Sequence, residues 1–265
     1  MWWATRTAQG PATVRFVADG HPARSIEVRA WGPGSAAALE AAPRLAGLDD
    51  DPSAFQPSHP VVAEGWRRHP GLRLGHTTSV LEALLPAIVA QKVPSADAAR
   101  SWRRLTAKVA EPAPGPADLL LPPDPARVAR LAHHDLHRCG IERKRATPLL
   151  AACRVAGRLE RLAGRSTDQL VAGLTQLAGI GPWTALTVAR LVHGHADTVV
   201  VGDYNLPALV AWNLAGERTA DDRRMLELLA SERPHRGRVM QVLAAAGTRP
   251  PRHGPRLRAA AVAYL

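Results

Sequence analysis

LAGIGPWTALTVARLVHGHADTVVVGDYNL, residues Leu177–Leu206, is the stretch that decides the fold. Gly179 and Gly181 stand one residue apart and permit backbone angles that side chains forbid. Pro182 follows with the fixed φ of a first helical position. Upstream, Ser166-Thr167-Asp168-Gln169 has the S-x-x-Q form of a capping box, and Leu170, Val171, Leu174 and Leu177 recur at helical spacing. Downstream, a helix runs from Trp183 to Val192 and stops before Gly194. The stretch is therefore helix, short glycine hairpin, helix. Hairpin amides and the N-terminus of the second helix point outward without side chains in the way, an anion nest suited to a nucleic-acid phosphate. Many helical hairpins use glycine only to turn, so the hairpin alone carries both readings. Beyond it, the β-branched run Thr198–Val201 predicts a buried extended segment, Gly202 breaks it, and Asp203 follows. As a cap for a helix starting near Asn205, Asp203 needs no further role. Cap and catalyst are compatible, because burial at a helix start fixes the carboxylate's direction.

The bulk numbers constrain the partner. The chain has 265 residues, a formal charge of +11 and 46% apolar residues, enough for one large domain or two modest ones. Of its 34 basic residues only Lys92, Lys108 and Lys144 are lysine. Such an arginine excess suits a polyanion, most simply nucleic acid, and an arginine- and alanine-rich coding bias produces it too. Seven of the few aromatic residues are Trp, suited to stacking on flat groups or to filling a core. Cys139 and Cys153 make neither a disulfide framework nor a four-cysteine cluster. No signal peptide and no apolar run of about 20 residues is present, so a soluble, cytoplasmic protein is expected.

Outward from the hairpin, residues 1–70 are expected to be a small β-rich module. Thr13–Val17 and Ile26–Trp31 alternate apolar and polar residues, with Asp19-Gly20 as turn chemistry between them. Ser35 is expected to cap a short helix ending by Pro43, and Asp49-Asp50-Asp51 a solvated loop or cap rather than a cation site. Residues 71–247 are expected to be helical. Leu81, Leu84, Leu85, Ile88 and Val89 share a helical face, in which Pro86 marks a kink or the true start. Ser95 and Asp124 cap later helices on either side of a Pro-rich loop. His133 and His137 have a spacing that zinc sites use, but no Glu lies between them and no second pair follows, so a polar helix end is expected. Arg143-Lys144-Arg145 puts positive charge at a helix start, the wrong end for the dipole, as a phosphate site or a solvated cluster would. Residues 248–265 are a basic tail with Arg249, Arg252, Arg256 and Arg258, either a DNA-contacting arm or an inert end, turning apolar at the last residues.

The pair L-A-G-I-G-P-W-T-A and, about twenty residues later, V-V-V-G-D-Y-N-L resembles the helix-hairpin-helix (HhH-GPD) DNA glycosylase superfamily, and the wider layout its 3-methyladenine DNA glycosylase II (AlkA-type) branch. The likeness extends over residues 45–247 through Ala87-Ile88-Val89-Ala90-Gln91, Gly140-Ile141-Glu142-Arg143-Lys144-Arg145-Ala146 and Arg236-Gly237-Arg238-Val239. It implies a mainly α fold of two helical subdomains behind a β-rich N-terminal module. It implies Asp203 as the catalytic carboxylate, with Gly179 and Gly181 gripping phosphate. Main-chain carbonyls of Thr175, Leu177 and Ile180 would hold a structural Na+ or K+; no cofactor is required, and an iron–sulfur cluster needs four cysteines. Trp183 matches the site where strand-cutting relatives carry a Schiff-base Lys, and an indole forms no such adduct. A monofunctional enzyme is implied, a monomer acting in the nucleoid on double-stranded DNA with a damaged base.

Trp183, Thr187, Tyr204 and Leu243 are expected to line the base pocket. Gln91, Lys92, Lys144, Arg145, Arg236 and Arg238 are expected on DNA. The chain departs from the branch at Thr187, where a pocket Tyr is usual, at Leu243, where a Trp is usual, and at Lys92-Val93, where an apolar wedge is usual. An alkylated purine, whose bond to the sugar is already weak, fits a site with one carboxylate. A deaminated or oxidised base, or a hairpin protein that binds DNA without catalysis, are the alternatives.

Overall fold

The computed structural model describes residues 1–20, 24–77 and 79–251. Its elements are β1 (Trp2–Thr7), β2 (Gly10–Asp19), β3 (Ser25–Trp31), α1 (Ser35–Leu45), α2 (Pro60–Arg68), α3 (Val80–Val89), α4 (Ser95–Lys108), α5 (Pro125–Val128), α6 (His133–Arg138), α7 (Arg143–Arg154), α8 (Ala156–Glu160), α9 (Thr167–Thr175), α10 (Pro182–His193), α11 (Leu206–Ala215), α12 (Asp222–Leu228) and α13 (Arg236–Ala246). About half of the chain is helical. No described helix is long and apolar enough to cross a membrane.

The three strands form one antiparallel sheet in the order β1-β2-β3, with Trp3 opposite Val14 and Val14 opposite Ala30. Residues directly opposite share a face. Ala12, Val14 and Phe16 therefore form one apolar surface with Trp3, Val28 and Ala30, and it packs on Ala38 and Ala42 of α1. Strand β1 is not evident in the sequence, where Met1-Trp2-Trp3 looks like a ragged start. It is tied to the helical part by polar groups: Thr5 Oγ1 donates to Glu82 of α3, and Arg6 donates to the Pro122 carbonyl at 2.9 Å and pairs with Glu111, both in the loop between α4 and α5.

A second core runs from Val80 to Val192 and is centred on α3, which packs against α7 and α10. Eight of the ten α3 residues are buried, so this helix is apolar on all sides, as a central helix should be. Pro86 sits inside the helix, and the helix begins at Ser79, whose hydroxyl accepts from the Glu82 amide. Glu160 supplies a carboxylate to the same helix start, accepting from the Val80 and Leu81 amides at 2.9 Å. That placement satisfies two otherwise orphaned donors and complements the helix dipole.

The third core differs from the expected division at residue 70. Phe55 and Val62 pack with Val199, Val200, Val210, Val239 and Leu243, so α2 belongs with α13 and not with the sheet. The contact is close: a Cβ on Gly65 would come within 2.8 Å of Val242. One helical lobe is thus continuous in sequence and the other is closed by a segment from its N-terminal side. Two caps also shift by one residue, since Gly34 and Pro94 precede the helices that Ser35 and Ser95 begin, and Pro43 lies within α1. Arg252 to Leu265 lie outside the described residues, whereas the start of the tail is pinned: the Thr248 amide donates to Asn213 at 3.0 Å.

Candidate active site

The hairpin joins α9 to α10, and its two glycines do different jobs. Gly179 has φ +87, and a Cβ there would meet Pro148 of α7 at 2.9 Å, so the fold itself demands glycine. Gly181 has φ −93, a value open to any residue, and a Cβ there would meet nothing within 4 Å. Among the described residues nothing requires Gly181 to lack a side chain; its open side faces solvent. Among the described residues the Gly179 and Gly181 amides donate to no protein acceptor. Gln91, at the end of α3, braces the hairpin, its amide donating to the Gly179 carbonyl and to Thr184 Oγ1, both at 2.9 Å.

Twenty residues after Trp183 the chain returns to it. Thr198–Val200 is buried, Val201 half-buried, and none of the four lies in a helix or strand. Gly202, at φ +79, turns the backbone beside the Trp183 side chain, and its amide donates to Asp222 Oδ2 at 2.8 Å. Asp203 then receives three N–H groups. The Trp183 indole donates to Oδ2 at 2.8 Å, and the Asn205 and Leu206 amides donate to Oδ1 at 2.7 and 2.9 Å. Asp203 therefore accepts amides at the start of α11, although the N-cap residue itself is Asn205. A carboxylate has about four acceptor positions, so one on Oδ2 stays open. The side chain is half-buried and fixed in direction from two lobes at once.

Several residues expected at the DNA or in the pocket are elsewhere. Arg145 is 3% exposed and donates to the carbonyls of Val89 at 2.6 Å and Gly140 at 2.9 Å, closing the C-terminal end of α3. Arg238 is 1% exposed and forms a two-pronged pair with Asp50. Burial would push the Asp50 carboxyl up, but the bonds from Arg238 and the Leu74 amide hold it below the usual carboxylate range. The middle of the three aspartates is therefore a structural anchor. Arg236 is held by Asp197 at 2.6 and 2.8 Å. Arg145 and Arg238 are thus buried in the protein interior, and Arg236 spends two of its donor nitrogens on Asp197. Leu243 is 1% exposed within the third core, and Tyr204 is 95% exposed, so neither lines a pocket.

Lys92 and Lys144 remain exposed and, among the described residues, without an acidic partner. Lys92 has φ +54, left-handed backbone that a non-glycine residue adopts at a cost. Lys144 lies one helical turn before Pro148, the residue against Gly179. Thr187 is half-buried on α10. At the hairpin the Ile180 amide donates to the Leu177 carbonyl, while the described hydrogen bonds outside helices bring no donor to the Thr175 and Ile180 carbonyls. The histidine run holds no group of three potential metal ligands among the described residues: His133 faces Thr147, and Asp135 pairs with Lys108. Both cysteines are buried, which pushes the Cys139 thiol up and the Cys153 thiol to about 12.

Asp222 was not evident from the sequence as part of this site. Asp221 looks like the helix cap, and it is one, accepting from the Arg224 amide. Its neighbour instead holds the turn that delivers Asp203. The doubled aspartate is the only sequence signal of that second role.

Neither a family model nor a curated protein matches the chain. Solved structures do. A 3-methyladenine DNA glycosylase from Archaeoglobus fulgidus superposes with a TM-score of 0.75 at 18% identity, covering 91% of this chain and 84% of its own. An 8-oxoguanine glycosylase/lyase from Clostridium acetobutylicum in complex with DNA gives 0.70 at 13% identity, covering 91% and 85%. A 3-methyladenine DNA glycosylase from Schizosaccharomyces pombe in complex with abasic DNA gives 0.54 at 16% identity, covering 77% and 94%. The sheet, the two helical lobes and the hairpin between α9 and α10 together make this chain's fold that of the helix-hairpin-helix DNA glycosylases.

Proposed function

We propose that the protein is a monofunctional DNA glycosylase that removes a damaged base, by preference an alkylated purine such as 3-methyladenine, from double-stranded DNA and leaves an abasic site. The observation that carries this reading is Asp203, a half-buried carboxylate held by the Trp183 indole and two amides beside an outward-facing glycine hairpin. The fold adds weight, because similar structures bear glycosylase names. As a monomer acting on chromosomal DNA, the enzyme would work in the cytoplasm.

The target nucleotide must leave the stack, at a cost of a few kcal/mol. Phosphate contacts from the Gly179 and Gly181 amides, Lys92 and Lys144 offset that cost and make binding salt-dependent. The C1′–N bond breaks with its electron pair leaving on the base, which departs neutral when it was alkylated and cationic. Positive charge grows on the sugar, and the open position of Asp203 Oδ2 stabilises it. Water adds at C1′ and gives its proton to Asp203 or to solvent, as in glycoside hydrolysis. Trp183 has no amine, so it forms no covalent bond to the sugar. In this reading the carbonyls of Thr175, Leu177 and Ile180 would hold a monovalent cation that stiffens the hairpin.

A second reading, a DNA-binding protein without catalysis, is favoured by two residues. Leu243 is in the core and Tyr204 projects into solvent, so neither lines a base pocket. A similar fold also serves an 8-oxoguanine enzyme, which keeps an oxidised base as an alternative substrate. A panel of duplexes, each with one modified base, scored for free base separates these. Release of an alkylated purine is expected; no release from any duplex selects the second reading.

A further inference from the structure

The far end of α10 holds a cavity of about 210 Å³ that takes no part in the site above. Residues rise 1.5 Å each along a helix, so Arg190 lies about 12 Å from the hairpin along α10. Three segments meet at the cavity: residues 72–76, the end of α10, and the start of α13. Glycines make the meeting close, since a Cβ on Gly194 would sit 3.0 Å from the Leu74 carbonyl and one on Gly237 would sit 2.6 Å from that of Thr198. The lining side chains that carry polar groups are Arg73, Arg190, His195 and Gln241, and no carboxylate is among them.

Arg190 is the unusual member. The two other interior arginines are committed, Arg145 to carbonyls and Arg238 to Asp50. Asp197, the acid nearest in sequence, is taken by Arg236. Arg190 is half-buried, its side chain makes no hydrogen bond or ion pair among the described residues, and burial holds its pKa below the usual arginine value. A guanidinium withdrawn from water and given no anion costs free energy unless a ligand supplies one. His195 Nδ1 accepts from the Asp197 amide, so the neutral ring carries its proton on Nε2 and offers a donor.

We propose that this cavity binds a phosphate oxyanion, with the Arg190 guanidinium as its principal anchor and Arg73, His195 and Gln241 around it. A planar fork suits a phosphate, and polar side chains lining the cavity from three segments suit a tetrahedral group better than a flat carboxylate, although Arg73 Nη1 already donates to the Pro70 and Leu72 carbonyls. The phosphate is either free, alone or on a small molecule, or part of a DNA backbone.

The test is titration calorimetry of the full chain with inorganic phosphate at constant ionic strength. One phosphate should bind per chain, and Arg190→Gln should weaken it at least tenfold. Arg158→Gln, the same charge change at an exposed position, should leave it unchanged. Gln241→Glu, which places an acid in the cavity, should abolish binding while thermal unfolding shows an intact fold. Absent binding, or binding that all variants share, overturns the proposal. Competition then assigns the source: displacement of phosphate by an undamaged duplex identifies the DNA backbone, and simultaneous binding identifies a free phosphate.

Discussion

Replacing Trp183 with Phe removes the indole N–H and reduces the two-ring system to one ring. The ring keeps an aromatic face toward the third core, but the N–H that reaches Asp203 Oδ2 at 2.8 Å is gone. A hydrogen bond to a charged group is worth about 1.5–3 kcal/mol, and about 1.4 kcal/mol is a factor of ten in rate. A loss of roughly 10- to 150-fold in base excision follows if the bond serves the transition state. The lower end is expected, because the Asn205 and Leu206 amides still hold Oδ1. Single-turnover excision on a duplex that the wild type processes gives the rate, and fluorescence anisotropy gives the affinity, which should change less than threefold. A Trp183→Phe enzyme with wild-type turnover, or one whose loss lies wholly in DNA affinity, refutes a positioning role for the indole.

The two hairpin glycines should respond differently to valine: Gly181→Val should keep wild-type thermal stability and lose affinity for every DNA sequence alike, whereas Gly179→Val, at φ +87 and against Pro148, should unfold at distinctly lower temperature. Arg238→Met should cost about 3–5 kcal/mol in denaturant unfolding, because it leaves Asp50 without its buried partner. Burial, reinforced by the charge of Glu160, raises the Glu82 carboxyl to about 7 despite the Thr5 hydrogen bond. Its folded value lies above its unfolded one, so the folded state binds the extra proton between about pH 4.5 and 7. Stability should be highest below that window and fall by up to about 3 kcal/mol as pH rises through it, and Glu82→Gln should flatten that part of the profile.

The local chemistry of the helical part was legible because it is short-range. The Ser166–Gln169 box and the Asp124 cap form with the partners their spacing demands. So do the hairpin and the left-handed stop at Gly194. What escaped was long-range pairing of arginine. Exposed and buried arginines look alike in sequence, and Arg145, Arg236 and Arg238 read as DNA contacts because nothing local betrays a partner 56, 39 or 188 residues away. The division at residue 70 failed for the same reason, since Val62 finds its core with Val239 and Leu243. Strand β1 was hidden by the chain end. At the site, the nearness of Trp183 and Asp203 was readable from the motif pair, but the hydrogen bond between them and the Asp222 brace were not. Both depend on how Gly202 turns the backbone.

Asp203 bears the weight of the functional account, so the most direct measurement is free-base release by the wild type and by Asp203→Asn over the same set of lesion-bearing duplexes. Asn keeps the volume and can still accept the amides, but it carries no charge to stabilise the sugar. The wild type should release an alkylated purine and leave an intact abasic strand, and Asp203→Asn should release none while binding the duplex with near wild-type affinity. Undiminished release by Asp203→Asn contradicts the account.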